Sequence, residues 1–258
     1  MHSDSIMLLR TDPSHHRLYY LSIPRDIVVP IPGAGTQKIN AAFQIGGPAL
    51  AIQTIRRFTG LPVNHVMVVN FADFRDLIDA IGGITVDVPR PIRSNRFDCP
   101  YATQARCDKW PGWRFEKGKQ HMDGERALIY SRIRENLLDP SETDVTRGAR
   151  QQAVIDAVAS KFTSLSTLLR MPFSGKSFVK PLTTDMTATQ LLQLGWVRFR
   201  SSPGDSVHCR LGGDFGAGGT GAPSEDDPAT LAMFLGESAP QPPTGQFEPG
   251  CVVGHPLQ

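Results

Sequence analysis

The strongest constraint on the fold is an alternation between two hydrophobic periods along the first half of the chain. SDSIMLLRTD (3–12) and HRLYYLSIPRDIVVPI (16–31) read as two β-strands joined by a turn at Asp12-Pro13-Ser14, with Pro30 and Pro32 ending the second. KINAAFQIGGPALAIQTIRRFTG then reads as a loop and an amphipathic helix stopped by Gly60. HVMVVNF is a short apolar strand, ADFRDLIDAIGG a helix ended by Gly82 and Gly83, and ITVDVP the next strand. Strands and helices in this order predict an α/β sheet with helices packed on its faces.

The second half continues the pattern. In HMDGERALIYSRIRE, Asp123 is placed to cap a helix that begins at Gly124 or Glu125. DVTRGARQQAVIDAVASKF is a long amphipathic helix, TTDMTATQLLQLGWVRF another, and SVHCRL reads as a final strand. Between them, residues from about 90 to 115 form a polar insertion. Beyond Gly212 the chain is rich in Gly, Pro and Ala, so residues 212–258 are expected to be a loose tail behind a single domain over 1–211. At 258 residues such a chain buries enough surface to fold without a metal or a disulfide.

Charge is nearly balanced, 27 Lys and Arg against 25 Asp and Glu, so any positive field is local and a nucleic-acid-coating surface is excluded. Without a convincing helix-turn-helix, a DNA-binding regulator is the weakest reading. No run of about 20 apolar residues is present. The chain opens at or inside a strand with MHSDSIMLL, and upstream sequence is expected to be missing. Four cysteines, Cys99, Cys107, Cys209 and Cys251, lie outside any CxxC pair, which argues against zinc. Their even number in loop-rich segments fits two disulfides in an oxidising compartment, Cys99 with Cys107 and Cys209 with Cys251; buried thiols are the alternative.

Phosphate-binding loops, nucleophile elbows and dinucleotide fingerprints are absent, so phosphate chemistry has to rest on side chains. The segment YSRIRENLLDPSETDVTRGARQQ (130–152) holds Arg132, Arg134, Arg147 and Arg150, with Asp144 and Gln151 between them. Guanidinium groups grip phosphate oxygens two at a time. On a helix, Asp144, Arg147 and Gln151 share one face, and Asp144 stands at the N-terminus, which itself favours anions. Arg132 and Arg134, in an extended segment, would point the same way. A solvated helix with ordinary ion pairs is the plainer alternative. Arg25 and Asp26 stand at the end of an apolar strand, where sites of α/β proteins collect. Lys38 offers a point charge to the same anion, and Asp4 a hard oxygen ligand for Mg²⁺.

Taken in order, SDSIMLL, SIPRDIVV, KINAAF, FADFRDLIDAIGGITVDVP, FEKGKQHMDGERALIYSRIRE and DVTRGARQQAVIDA resemble the LytR–CpsA–Psr family from about Ser3 to Ser160. The resemblance implies a membrane-anchored, extracytoplasmic bacterial phosphotransferase. Such an enzyme moves a glycopolymer from a polyprenyl-pyrophosphate carrier onto peptidoglycan. It also implies a single domain with a central mixed β-sheet flanked by helices, a groove for the lipid and an arginine-lined mouth for the pyrophosphate. By motif, Arg25, Arg132, Arg134 and Arg147 would bind pyrophosphate, Gln151 would add a hydrogen bond, and Asp4 would hold Mg²⁺. Asp144 would orient the arginines or take the acceptor's proton. The chain departs from the pattern at His2, where the family has arginine; the family's further metal-binding aspartate and its transmembrane anchor are expected in the missing upstream sequence. A pyrophosphatase using water, or a non-catalytic module that binds lipid phosphate or cell-wall polymer, are the rival functions.

Overall fold

The computed structural model describes residues 5–133, 135–140, 144–162, 183–215, 220–245 and 248–254. Its contacts cluster into two compact units, Met1–Val68 with Thr183–Leu257, and Val69–Leu182, where the sequence suggests one domain.

The first unit is built on a four-stranded mixed sheet. Strands β1 (Ile6–Asp12) and β2 (Arg17–Ile23) form an antiparallel hairpin with Asp12 opposite Arg17. The expected turn at Asp12-Pro13-Ser14 is present, with the Ser14 hydroxyl and the His15 amide both donating to the Asp12 carboxylate. β2 is central: Leu18, Tyr19, Tyr20 and Leu21 are all buried, which is why this strand reads as a continuous apolar run rather than an alternation. The long second strand foreseen from the sequence is two. Pro24, which has no amide hydrogen to give a ladder, ends β2, and a turn leads into β3 (Val28–Ile31), which pairs with β4 (Gly35–Lys38).

Helix α1 (Ala41–Thr59) follows and ends at Gly60, φ 70°. It is broken inside at Gly46-Gly47-Pro48, where Gly47 adopts φ 62°, ψ −158°, a conformation essentially reserved for glycine. β5 is only Met67–Val68, and its partner is the equally short β10 (Thr183–Thr184). The strand expected at HVMVVNF is thus cut to a two-residue bridge, and Met67 is exposed.

In the second unit, α2 (Phe71–Ala80) is capped by Asn70, whose side chain accepts from the Ala72 and Asp73 amides. β6 (Ile84–Val88) pairs antiparallel with β9 (Gly118–Met122). The insertion between them carries β7 (Ile92–Arg93), the short helix α3 (Gln104–Cys107) and β8 (Arg114–Phe115), with a Cys99–Cys107 disulfide. α4 (Gly124–Arg132) is capped by Asp123 as foreseen, at 2.8 Å from the Arg126 amide. A Cβ at Gly124 would lie 2.3 Å from the Arg75 carbonyl oxygen of α2, so only glycine admits this approach. α5 (Asp144–Phe162) lies against α4 and β6. Ile78, Ile84, Val86, Phe115, Met122, Tyr130 and Val154 share the core of this unit.

Back in the first unit, α6 (Ala188–Arg200) begins with a reciprocal cap between Thr187 and Gln190. β11 (Val207–Arg210) lies parallel to β2. The segment expected to be loose is ordered over most of its described length. β12 (Gly213–Phe215), β13 (Gly221–Pro223) and α7 (Asp227–Leu235) precede β14 (Gly250–Val253), which pairs with β11 and completes the sheet. Average composition concealed two short apolar segments. Met233 and Phe234 of α7 and Cys251 of β14 are buried in the same core as β2, and Cys209–Cys251 joins neighbouring strands. SVHCRL is therefore an interior strand, not the last one.

Candidate functional site

Arg25 and Asp26 occupy the turn beyond the carboxyl end of β2, closed by the Ile27 amide on the Pro24 carbonyl. The β3–β4 register sets Lys38 opposite Val28 and so returns it to this turn. Lys38 Nζ donates to Asp26 Oδ1 at 2.8 Å, and Arg25 Nε donates to Oδ2 at 3.2 Å. Burial pushes the Asp26 carboxyl up, but the Lys38 hydrogen bond and the Arg25 charge hold it below the usual carboxylate range. Asp26 is therefore an anion that fixes the two cations. The sequence brings Arg25 and Asp26 together at once; Lys38 is joined to them only by the hairpin register.

In the second unit the arginine-bearing segment begins as a helix rather than an extended strand. Arg132 is the last residue of α4, and the chain turns extended only at the buried Ile133, φ −53°, ψ 125°. The Arg132 guanidinium lies 4.5 Å from the centre of the Phe71 ring, the first residue of α2. Phe71 is itself 39% exposed, so a cation and an apolar surface stand side by side. Phe71 has no counterpart in the sequence reading, because only the packing of α2 on α4 brings the two together.

α5 closes the end of α4. The last carbonyls of a helix lack partners within it. Here Arg150, only 4% exposed, donates from Nη2 to the Ile133 carbonyl, and Gln151 Nε2 donates to the Ser131 carbonyl at 3.4 Å. Arg150 thus leaves the group of candidate phosphate ligands and becomes the residue that holds α4 to α5. Gln151 lies beside the turn that carries Arg132. Asp144 is the first residue of α5, the helix N-terminus expected for it. Asp4 and Arg134 lie outside the described residues, as do the side chains of Asp144 and Arg147. Among the described residues no three His, Cys, Asp or Glu side chains form a group able to hold a metal.

A mixed α/β sheet with guanidinium groups presented at helix and strand ends defines a protein equipped to hold an anion through side chains. The chain belongs to the LytR_cpsA_psr family, which it matches over residues 1–208. It is 31% identical over 195 residues to the polyisoprenyl-teichoic acid–peptidoglycan teichoic acid transferase TagV of Bacillus subtilis (strain 168), an alignment that covers 74% of this chain and 47% of that protein. The chain spans about half the length of the curated relatives it matches. The crystal structure of B. subtilis TagV superposes with a TM-score of 0.69 at 26% identity, covering 91% of this chain and 90% of that one. TagT bound to LIIa-WTA gives 0.68 at 27% identity, covering 91% and 86%.

Proposed function

We propose that the chain is a phosphotransferase that moves a glycopolymer from a polyprenyl-pyrophosphate carrier onto peptidoglycan and leaves a phosphodiester link. Family membership and the transferase names of the relatives support this reading. The observation that carries it is the pairing of the Arg132 guanidinium with the exposed Phe71 ring. Charge beside apolar surface is what a lipid pyrophosphate offers in mirror image.

The acceptor hydroxyl attacks the phosphorus next to the sugar. A new P–O bond forms, the bridging P–O bond of the pyrophosphate breaks, and polyprenyl phosphate leaves with the electron pair. Negative charge accumulates on the leaving phosphate, and arginines stabilise it without forming a covalent bond. They stay protonated at every working pH, so the grip does not titrate away. This reading gives pyrophosphate-binding roles to Arg25, Lys38, Arg132, Arg134, Arg147 and Gln151. It gives Asp144 the orientation of those arginines or the removal of the acceptor's proton. Mg²⁺, with Asp4 as a carboxylate ligand, is proposed as the ion that shares the phosphate charge. Two disulfides suit an extracytoplasmic location. A membrane anchor outside this sequence is part of the proposal, and no described helix is long and apolar enough to cross a membrane.

Labelled lipid-linked polymer, offered with and without peptidoglycan, tests the reading. Label should move to peptidoglycan, fall when Mg²⁺ is chelated and return when it is restored. Arg132→Ala should lower the rate by about 10²–10³-fold, the scale for losing one oxyanion donor. Release of label into water at the same rate with or without acceptor would make the protein a pyrophosphatase. Undiminished turnover in Arg132→Ala would remove that residue from the site.

A further inference from the structure

The stretch from Arg90 to Lys119, the insertion together with the first two residues of β9, has no part in the proposed reaction, yet it is the most basic region of the chain. It holds eight Lys and Arg against three Asp and Glu, five net positive charges where the whole chain has +2. Arg93, Arg106, Lys109, Arg114, Lys117 and Lys119 are exposed. Lys109, Lys117 and Lys119 enter no ion pair among the described residues. Arg90 is paired with Asp139 at 2.7 Å; the other pairs, Arg96 with Asp108 at 3.4 Å and Arg114 with Glu116 at 3.8 Å, are solvent-exposed and neutralise little.

The register of β7 and β8 sets Arg93 opposite Arg114. Like charges directly opposed on a ladder destabilise it, so this pair is maintained by its frame. Arg93 Nε donates to the Pro111 carbonyl at 2.8 Å, and the Arg93 amide donates to Asn136 Oδ1 at 3.0 Å. The Ser94 amide donates to the Trp113 carbonyl at 3.0 Å, and the Trp113 amide returns to Ser94 Oγ at 2.9 Å. Ser94, Asn136, Ile92 and Phe115 are buried, and the Cys99–Cys107 disulfide closes the loop between the strands. The cations are therefore preorganised on a stapled, core-anchored surface.

We propose that this ladder is a docking surface for the phosphodiester chain of an anionic polymer, with Arg93 and Arg114 flanking one phosphate. A phosphodiester places two unbridged oxygens on one charge, and each guanidinium fork fits such a pair. Bound phosphate relieves the repulsion that the register imposes, and the remaining exposed cations supply the field around it. A lipid surface would need apolar side chains among the cations. Within the insertion the exposed Tyr101 ring lies under the Arg106 guanidinium at 5.0 Å; Leu137 and Leu138, beyond it, are exposed and make vesicles the arm to test against. The proposal rests on the transferase reading only for the claim that the polymer is the one being transferred.

The full chain is titrated into labelled poly(glycerol phosphate), into neutral dextran and into vesicles of anionic phospholipid, at rising salt. Salt-sensitive binding to poly(glycerol phosphate) alone is expected. Arg93→Gln with Arg114→Gln should weaken it by roughly tenfold per arginine, while Arg93→Lys with Arg114→Lys, which keeps the charges but not the forks, should fall between. Transfer from a donor bearing a single sugar should be unchanged in both variants. Equal polymer affinity in the glutamine variant, or binding to vesicles but not to polymer, overturns the proposal. Because the titration reads binding alone, it stands even if the chain proves to hydrolyse its lipid substrate.

Discussion

Asp227 is the residue whose chemistry is most at odds with its surroundings. It starts α7 at 5% exposure, with Oδ1 accepting from the Gly212 amide at 2.7 Å and Oδ2 buried without a partner. Burial pushes its carboxyl up to about 6; the Gly212 and Ser224 amides offset part of this and the neighbouring Asp226 adds to it. In the unfolded chain the group titrates near 3.8. Between these values the folded protein holds a proton that the unfolded chain has lost, so stability falls as pH rises through this window. The cost at neutral pH is roughly 2–3 kcal/mol. Asp227→Asn keeps an oxygen for Gly212 and removes the buried charge. It should raise the denaturant midpoint at pH 7.5 and flatten its dependence on pH between 4 and 6; an unchanged pH profile would show that Asp227 is not the group responsible.

At the scale of elements, local signals carried furthest. Asp123 caps α4 where the sequence places its start, and Gly60 ends α1 in the left-handed conformation. Asn70 and Thr187 cap α2 and α6 by the same local chemistry, although α6 begins five residues into the segment read as helical. These are short-range contests between side chain and backbone, and neighbouring residues decide them. What stayed hidden depends on partners far along the chain. Nothing near Lys38 tells that hairpin register brings it to Asp26, and nothing near Arg132 tells that Phe71 lies beneath it. Arg150 shows the same limit from the other side. One more arginine in a cluster of four, it is indistinguishable by sequence from a phosphate ligand, yet its burial makes it the cap of another helix. Arg150→Met retains the stem and leaves the Ile133 carbonyl without its charged donor. A loss of about 1–3 kcal/mol is expected in chemical denaturation, with Arg150→Lys recovering part of it. A methionine variant that unfolds at the native midpoint would return Arg150 to the candidate ligands.

At the scale of the whole molecule, the α/β class was legible because apolar strands alternate with amphipathic helices along the first half of the chain, while the mixed sheet was implied only by the family resemblance. The completion of that sheet was not. Residues 212–258 average to a Gly- and Pro-rich composition, and averaging hides the four residues of β14 and the nine of α7. Their contribution is nonlocal: β14 supplies β11 with its outer partner, and Met233, Phe234 and Cys251 fill the core around Leu21 and Val207. Burying Met and Phe side chains is worth about 1.5–3 kcal/mol each. Cys209–Cys251 adds a covalent tie across a sequence separation of 42, worth about 4 kcal/mol in the chain-entropy description. Together these approach the whole stability of an ordinary domain, about 5–15 kcal/mol. A chain ended at Gly212 would keep the whole family match, residues 1–208, and all the residues assigned to pyrophosphate, yet it should lose cooperative thermal unfolding. The same chain with 213–258 supplied as a separate peptide should recover little, because the disulfide and the short β11–β14 register both depend on covalent proximity. Circular dichroism melts of the two forms decide the matter. A truncated chain that melts as sharply and at the same temperature as the full one would reduce the C-terminal segment to the loose tail its composition suggests.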